Sequence, residues 1–131
     1  MRVDLVTLIV DDYDRAIAFF AGVLGFELVE DSPAQSKSGQ AKRWVVVRPP
    51  GAQTGLVLAR ADGPEQVAVL GNQAGGRVTF FLRSDDFEAT YERIVSAGVH
   101  IVREPRSQPY GQVAVFVDYL GNRWDLLGPW E

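Results

Sequence analysis

Val6-Thr7-Leu8-Ile9-Val10 runs straight into Asp11-Asp12-Tyr13-Asp14, and the same order returns at Val78-Thr79-Phe80-Phe81-Leu82 and Asp85-Asp86-Phe87-Glu88. In both places a run of β-branched and aliphatic residues, read as a strand, meets paired aspartates that suit a helix N-cap. After the first pair, Tyr13, Ala16, Ile17, Phe20 and Leu24 mark one stripe of a 3.6-residue helix, and Gly25 stands where a left-handed terminator is wanted. After the second, Phe87, Tyr91, Ile94 and Val95 share a face that stops near Ala97-Gly98.

The correspondence continues on either side. The first strand is expected over Val3 to Val10, and Phe26 to Glu30 pairs in kind with Val99 to Val102. The strand Arg43 to Arg48 matches Gln112 to Val117, the turn Pro49-Pro50-Gly51 matches Tyr119-Leu120-Gly121-Asn122, and Leu56-Val57-Leu58 within Gly55 to Ala59 matches Trp124-Asp125-Leu126. Asp31 to Gln40 reads as a polar, turn-rich loop, and Arg60 to Arg77 as a linker punctuated by Gly-Pro and Gly-Gly. All the pairings hold at an offset of roughly 70 residues, the mark of a duplicated β-α-β-β-β unit. Such a unit covers one sheet face with its helix and leaves the other bare, so two units are expected to pack or curl around a shared cleft. A half of roughly 60 residues buries too little surface to be comfortable alone. One domain over 1–131 is therefore expected, with module one at about 1–60, a linker at about 61–76 and module two at about 77–131.

Composition narrows the function classes. The 131 residues are 47% hydrophobic and 23% charged, ordinary for a globular domain. Thirteen Lys and Arg against 17 Asp and Glu give a net charge of −4, without the basic footprint that a nucleic-acid partner demands. There is no cysteine, which excludes disulfides, thiolate metal sites and a cysteine nucleophile. No leader-like apolar stretch precedes Asp11-Asp12. No window approaches the roughly 18 apolar residues of a membrane span. A cytoplasmic protein with neither a membrane nor a nucleic-acid partner is expected.

The repeat, with V-T-L-x-V-x-D-x-D at Val6 to Asp14, L-G-F-E at Leu24 to Glu27, D-D-F at Asp85 to Phe87, A-G-V at Ala97 to Val99 and L-G-N-R-W-D-L at Leu120 to Leu126, closely resembles the glyoxalase/bleomycin-resistance/dioxygenase group, the vicinal oxygen chelate superfamily. The resemblance covers nearly the whole chain. It implies an α+β fold of two tandem βαβββ modules, forming a curved, mainly antiparallel, cup-shaped sheet with helices on the outer face. It also implies one small-molecule cavity and a homodimer, and the apolar C-terminal Trp130 suits a place at or beside the contact.

Metal enzymes of the group carry ligands on the first and last strands of each module, His or Gln early and Glu late, leaving open positions on a divalent ion. Carried over, the early position of module one falls at Leu5 and its late position at Val57; in module two they fall at Arg77 to Thr79 and at Asp125. Only Asp125 offers a carboxylate. No cofactor is expected on this reading, and aliphatic residues at ligand positions suit an apolar pocket instead, as in the antibiotic-binding branch. The candidates for its wall are Leu5, Trp44, Val57, Phe81, Tyr110, Phe116 and Trp124, with Asp125 as polar anchor.

Plainer roles stand beside these. Each strand aromatic also suits core packing, and Asp125 also reads as a satisfied polar group near a sheet end. His100, the single histidine, is expected in mid-strand pointing away from Val99 and Ile101, as a surface or structural residue. The aspartate pairs read as N-caps, and Gly71 to Gly76 as a linker, since no Lys-Ser/Thr follows to make a phosphate loop. Arg103, Glu104 and Arg106 around Pro105 read as solvated, with an arginine near the cup's mouth able to meet an anionic ligand. Three functions remain open at this point: a metal-free small-molecule-binding protein, a glyoxalase-like lyase, isomerase or dioxygenase using Zn, Ni, Mn or Fe, and a structural or regulatory protein with a vestigial cavity.

Overall fold

The computed structural model describes residues 1–34 and 41–130. The part of the expected loop at 35–40 lies outside the described residues. The chain forms two compact units, Met1–Leu70 and Gly71–Glu131, and the break falls inside the expected linker.

Unit one contains β1 (Leu5–Val10), α1 (Tyr13–Ile17) continuing as a π-helical segment (Ala18–Val23), β2 (Glu27–Ala34), β3 (Lys42–Arg48), β4 (Gly55–Arg60) and a short α2 (Pro64–Ala68). Asp12 caps α1, its carboxylate accepting from Arg15 N at 2.8 Å. The sheet order is β1-β4-β3-β2; β1 and β4 run parallel, from Leu5 opposite Gly55 to Val10 opposite Arg60, and the other pairs are antiparallel. Helix α1 packs on β3 and β4. Alternation sends Leu8, Val10, Val45, Val47 and Leu58 into the core, all fully buried.

Three local readings change here. The helical stripe does not stay α-helical to Leu24: Leu24 N donates to Phe19 O at 3.0 Å, a wide i→i+5 turn. That turn brings Phe19 inward beside Phe20, and their rings meet edge to face at 5.1 Å. Strand β2 runs on to Ala34, because Asp31 to Ala34 pair with Val45 to Lys42. Arg43 secures this polar extension, gripping Asp31 through two hydrogen bonds of 3.0 and 2.7 Å, donating to Asp14 at 2.9 Å and lying over the Tyr13 ring. The guanidinium holds the Asp31 carboxyl below the usual carboxylate range. Helix α2 was not expected in the linker; Pro64 sits at its start and none of its five residues is buried, so it carries no apolar periodicity to read.

Unit two repeats the plan with β5 (Val78–Arg83), α3 (Phe87–Ser96), β6 (Ile101–Gln108), β7 (Gly111–Val117) and β8 (Arg123–Leu127). Its order, β5-β8-β7-β6, again joins first and last strands in parallel and the rest antiparallel. Both sheets are therefore mixed, open and mainly antiparallel. Asp86 caps α3 through Ala89 N at 3.1 Å. Phe87 and Ile94 of the helix, with Ala114, Phe116, Trp124 and Leu126 of the sheet, form the core. The second strand of the repeated unit starts later than expected here: Val99 and His100 precede β6, so His100 is exposed outside the strand and not in mid-strand. Among the described residues no helix is long and apolar enough to cross a membrane.

Candidate functional site

In each unit the helix covers one sheet face, and strand alternation assigns the remaining side chains to the other. On the bare face of unit one, Leu5, Trp44, Val46, Arg48 and Gly55 line a cavity of about 300 Å³. Trp44 keeps 42% of its surface exposed there, an unusual state for the largest aromatic side chain. On the bare face of unit two, a cavity of about 250 Å³ has Val78, Val113 and Val115 for its apolar wall, with Arg103, Arg106, Arg123, Tyr110 and Asp125 around it.

These cavities occupy equivalent places in the repeat. Leu5 faces Gly55 across the parallel pair of unit one, as Val78 faces Arg123 in unit two. Val46 faces Val57 in the first sheet, as Val115 faces Asp125 in the second. Two residues earlier on the same strands, Trp44 corresponds to Val113. One scaffold thus carries an indole where its copy carries an aliphatic side chain, and glycine where its copy carries arginine.

The candidate residues divide accordingly. Leu5 and Trp44 line the first cavity, and Tyr110 and Asp125 the second. Val57 is half-buried beside Val46, and Phe81 is an exposed ring next to Asp125 in the β5–β8 ladder. Phe116 and Trp124 line neither cavity: they stack on each other at 5.8 Å within the core of unit two. Adjacent strand residues point to opposite faces, so Trp124 goes under the sheet when Asp125 goes above it. Burial pushes the Asp125 carboxyl above its ordinary value, against the opposing pull of Arg103.

A divalent metal does not fit the inherited positions. Leu5 and Val57 have no lone pairs, the first strand of unit two offers Val78, and Asp125 is a single acid. Among the described residues no three His, Asp or Glu side chains converge as a ligand set.

Asp118, which sequence reasoning passed over, organises the end of this site. It is 3% exposed. One carboxylate oxygen accepts from the backbone N–H groups of Leu120, Gly121 and Asn122, each at 3.0 Å. The other accepts from Asn122 Nδ2 at 3.1 Å and Trp124 Nε1 at 3.0 Å. The turn thereby fixes the indole of Trp124 below the sheet and, through alternation, Arg123 and Asp125 above it. Gly71 rests on the same turn with φ of 72°, and a Cβ there would stand 1.9 Å from Leu120 O. Asn122 Oδ1 accepts from Gln73 N at 3.2 Å, closing the contact. An Asp leading a Leu-Gly-Asn turn at a strand end was the available signal.

Comparison with known proteins follows the same lines. Residues 2–126 match the family model of the Glyoxalase/Bleomycin resistance protein/Dioxygenase superfamily. An uncharacterized protein of Shewanella frigidimarina (strain NCIMB 400) is 52% identical over 123 residues, 93% of this chain and 89% of the relative. Among solved structures the chain is similar to UcmS2, with a TM-score of 0.81, 32% identity and 97% of each chain covered. It is also similar to TnmS3, an antibiotic binding protein from Streptomyces sp. CB03234, with a TM-score of 0.77, 31% identity, and coverage of 98% of this chain and 96% of that one.

Proposed function

This chain belongs to the Glyoxalase/Bleomycin resistance protein/Dioxygenase superfamily, and from that premise we propose that it binds a small organic molecule without a divalent metal. The observation that carries the reading is the replacement of metal-ligand positions by Leu5 and Val57 on a sheet face that also presents the half-open ring of Trp44. A planar, largely apolar ligand stacked on an indole recovers the exposed aromatic surface and asks nothing of a metal. The likeness to TnmS3, an antibiotic binding protein, supports the same class of ligand.

Thermal-shift screening against planar aromatic antibiotics and small oxo-acids tests it. A compound at about 100 times its Kd should add roughly 2.7 kcal/mol to the native state and raise the melting temperature. Trp44→Ala should weaken such a ligand by at least about tenfold while leaving the unliganded melting temperature nearly unchanged, since the side chain is outside the core. Elemental analysis of untagged protein gives the opposing result: a stoichiometric transition metal removed by chelators would refute the metal-free reading.

The same reading takes the protein as a symmetric homodimer with Trp130 near the contact. Trp130 is 76% exposed, yet its ring is held in place by the Arg83 guanidinium 3.7 Å above it. Arg83 is itself tied to Gly128 O at 2.6 Å. Sedimentation at tens of micromolar should return about twice the 14.4 kDa chain mass. A single-chain mass at that concentration would count against the dimer.

A further inference from the structure

The geometry points to an organic-anion site on the bare face of unit two, where Arg103, Arg106 and Arg123 hold the carboxylate of a small molecule whose apolar body rests on Val78, Val113 and Val115. It rests on the small-molecule reading above and names the ligand class for this cavity.

The first support is charge. The chain as a whole carries −4, yet this cavity gathers three guanidiniums against the one carboxylate of Asp125. Among the described residues none of the three arginines has a carboxylate within 4.0 Å. By contrast Arg43 grips Asp31 and Asp14, and Arg15 meets Asp11. Three like charges left together on one face repel one another, and a planar oxyanion, able to take parallel N–H donors from a guanidinium fork, relieves that repulsion.

The second support is backbone geometry. Arg103 and Arg106 are three apart, so on a regular strand they would point to opposite faces. They do not, because the ladder slips: Arg103 lies opposite Val115 and Arg106 opposite Val113, three residues of β6 spanning two of β7. The irregularity takes up Glu104 and Pro105, and proline, lacking an N–H, is suited to a bulge. The bulge thereby turns both guanidiniums onto the face of Val113 and Val115. Arg123 joins them from β8 across the cavity, two residues from Asp125 and on the same face. Solvated arginines would need no such re-aiming.

Size and wall chemistry fix the class further. About 250 Å³ lies just under the usual range of roughly 300 to 1,000 Å³ for ligand pockets. Three valines make a floor that water solvates poorly, and Tyr110 adds an aromatic edge. A monocarboxylate on a small ring or short branched chain satisfies both ends; a bare inorganic anion leaves the valines uncovered.

NMR titration of the full-length, isotope-labelled protein tests this with benzoate, its uncharged analogue benzamide, and inorganic phosphate. Benzoate should give saturable shifts confined to β6, β7, β8 and the arginine Nε resonances, with a Kd on the order of 1 mM as befits a fragment. Benzamide and phosphate should each bind at least about tenfold more weakly. The double variant Arg106→Gln, Arg123→Gln removes exposed side chains, should keep the native spectrum, and should lose benzoate binding by at least tenfold; Arg77→Gln, outside the cavity, should not change it. Equal binding of benzamide, equal binding of phosphate, retained benzoate affinity in the double variant, or no saturable shift with benzoate each overturns the organic-anion site. If benzoate fails while a neutral aromatic antibiotic still stabilises the protein, the general small-molecule reading survives; if both fail, that reading falls too.

Discussion

Asp118→Ala should lower the unfolding free energy by about 4 kcal/mol, enough to leave much of the protein unfolded at 37 °C if it is ordinarily stable. The carboxylate accepts five hydrogen bonds, three from consecutive backbone N–H groups and two from the Asn122 amide and the Trp124 indole. Alanine removes every acceptor at once and supplies none. Each buried donor left unpaired costs about 1–3 kcal/mol, and local rearrangement lets some of them find water, which sets the total below the simple sum. Asp118→Asn keeps the shape but replaces one acceptor by an NH₂ that faces donors, so about 2 kcal/mol should go. Urea unfolding of the three proteins checks the order. An Asp118→Ala midpoint indistinguishable from the parent would mean that the turn does not hold the register of β8.

The second large effect belongs to unit one. Phe20 is fully buried, with the Phe19 ring edge-on at 5.1 Å and the Phe26 ring at 5.8 Å. Phe20→Ala removes most of an aromatic side chain from among rings that cannot close over the space, and should cost about 3–5 kcal/mol. For a chain of this size that is a fall of roughly 10–20 °C in melting temperature. Phe20→Leu, which refills much of the volume, should recover more than half of it. Differential scanning calorimetry decides the matter: a loss near 1 kcal/mol for the alanine variant would show that the π-helical turn relaxes and fills the cavity.

Much of the architecture was legible because its signals are local. Alternating strands, aspartate caps and apolar helix faces occur twice at one offset, and two four-stranded sheets with one covering helix each follow from that repetition. What escaped depended on contacts distant in sequence. Asp31 to Ala34 look like loop residues and form strand by pairing with Val45 to Lys42, where Arg43 binds Asp31 from the facing strand. The inward turn of Phe19 needs the wide hydrogen-bonded loop to be seen before the stripe can be redrawn. Trp124 and Asp125 were placed on one wall, although adjacent positions of a strand cannot share a face. In the other direction, Arg103 and Arg106 carried no shared-face signal, since their spacing is odd and only the slipped ladder reconciles it.

The parallel joining of first and last strands has a consequence for how the chain comes into being. Leu5 to Val10 pair with Gly55 to Arg60, and Val78 to Arg83 with residues ending at Leu127. During synthesis β1 therefore leaves the ribosome with no ladder partner until nearly the whole of unit one has followed it, and β5 waits in the same way for β8. The antiparallel neighbours β2, β3 and β4 close over shorter loops, so the parallel pairing carries the larger loop-closure cost. In that interval Val6, Leu8 and Val10 form an unpaired apolar edge, open to pairing with another nascent copy.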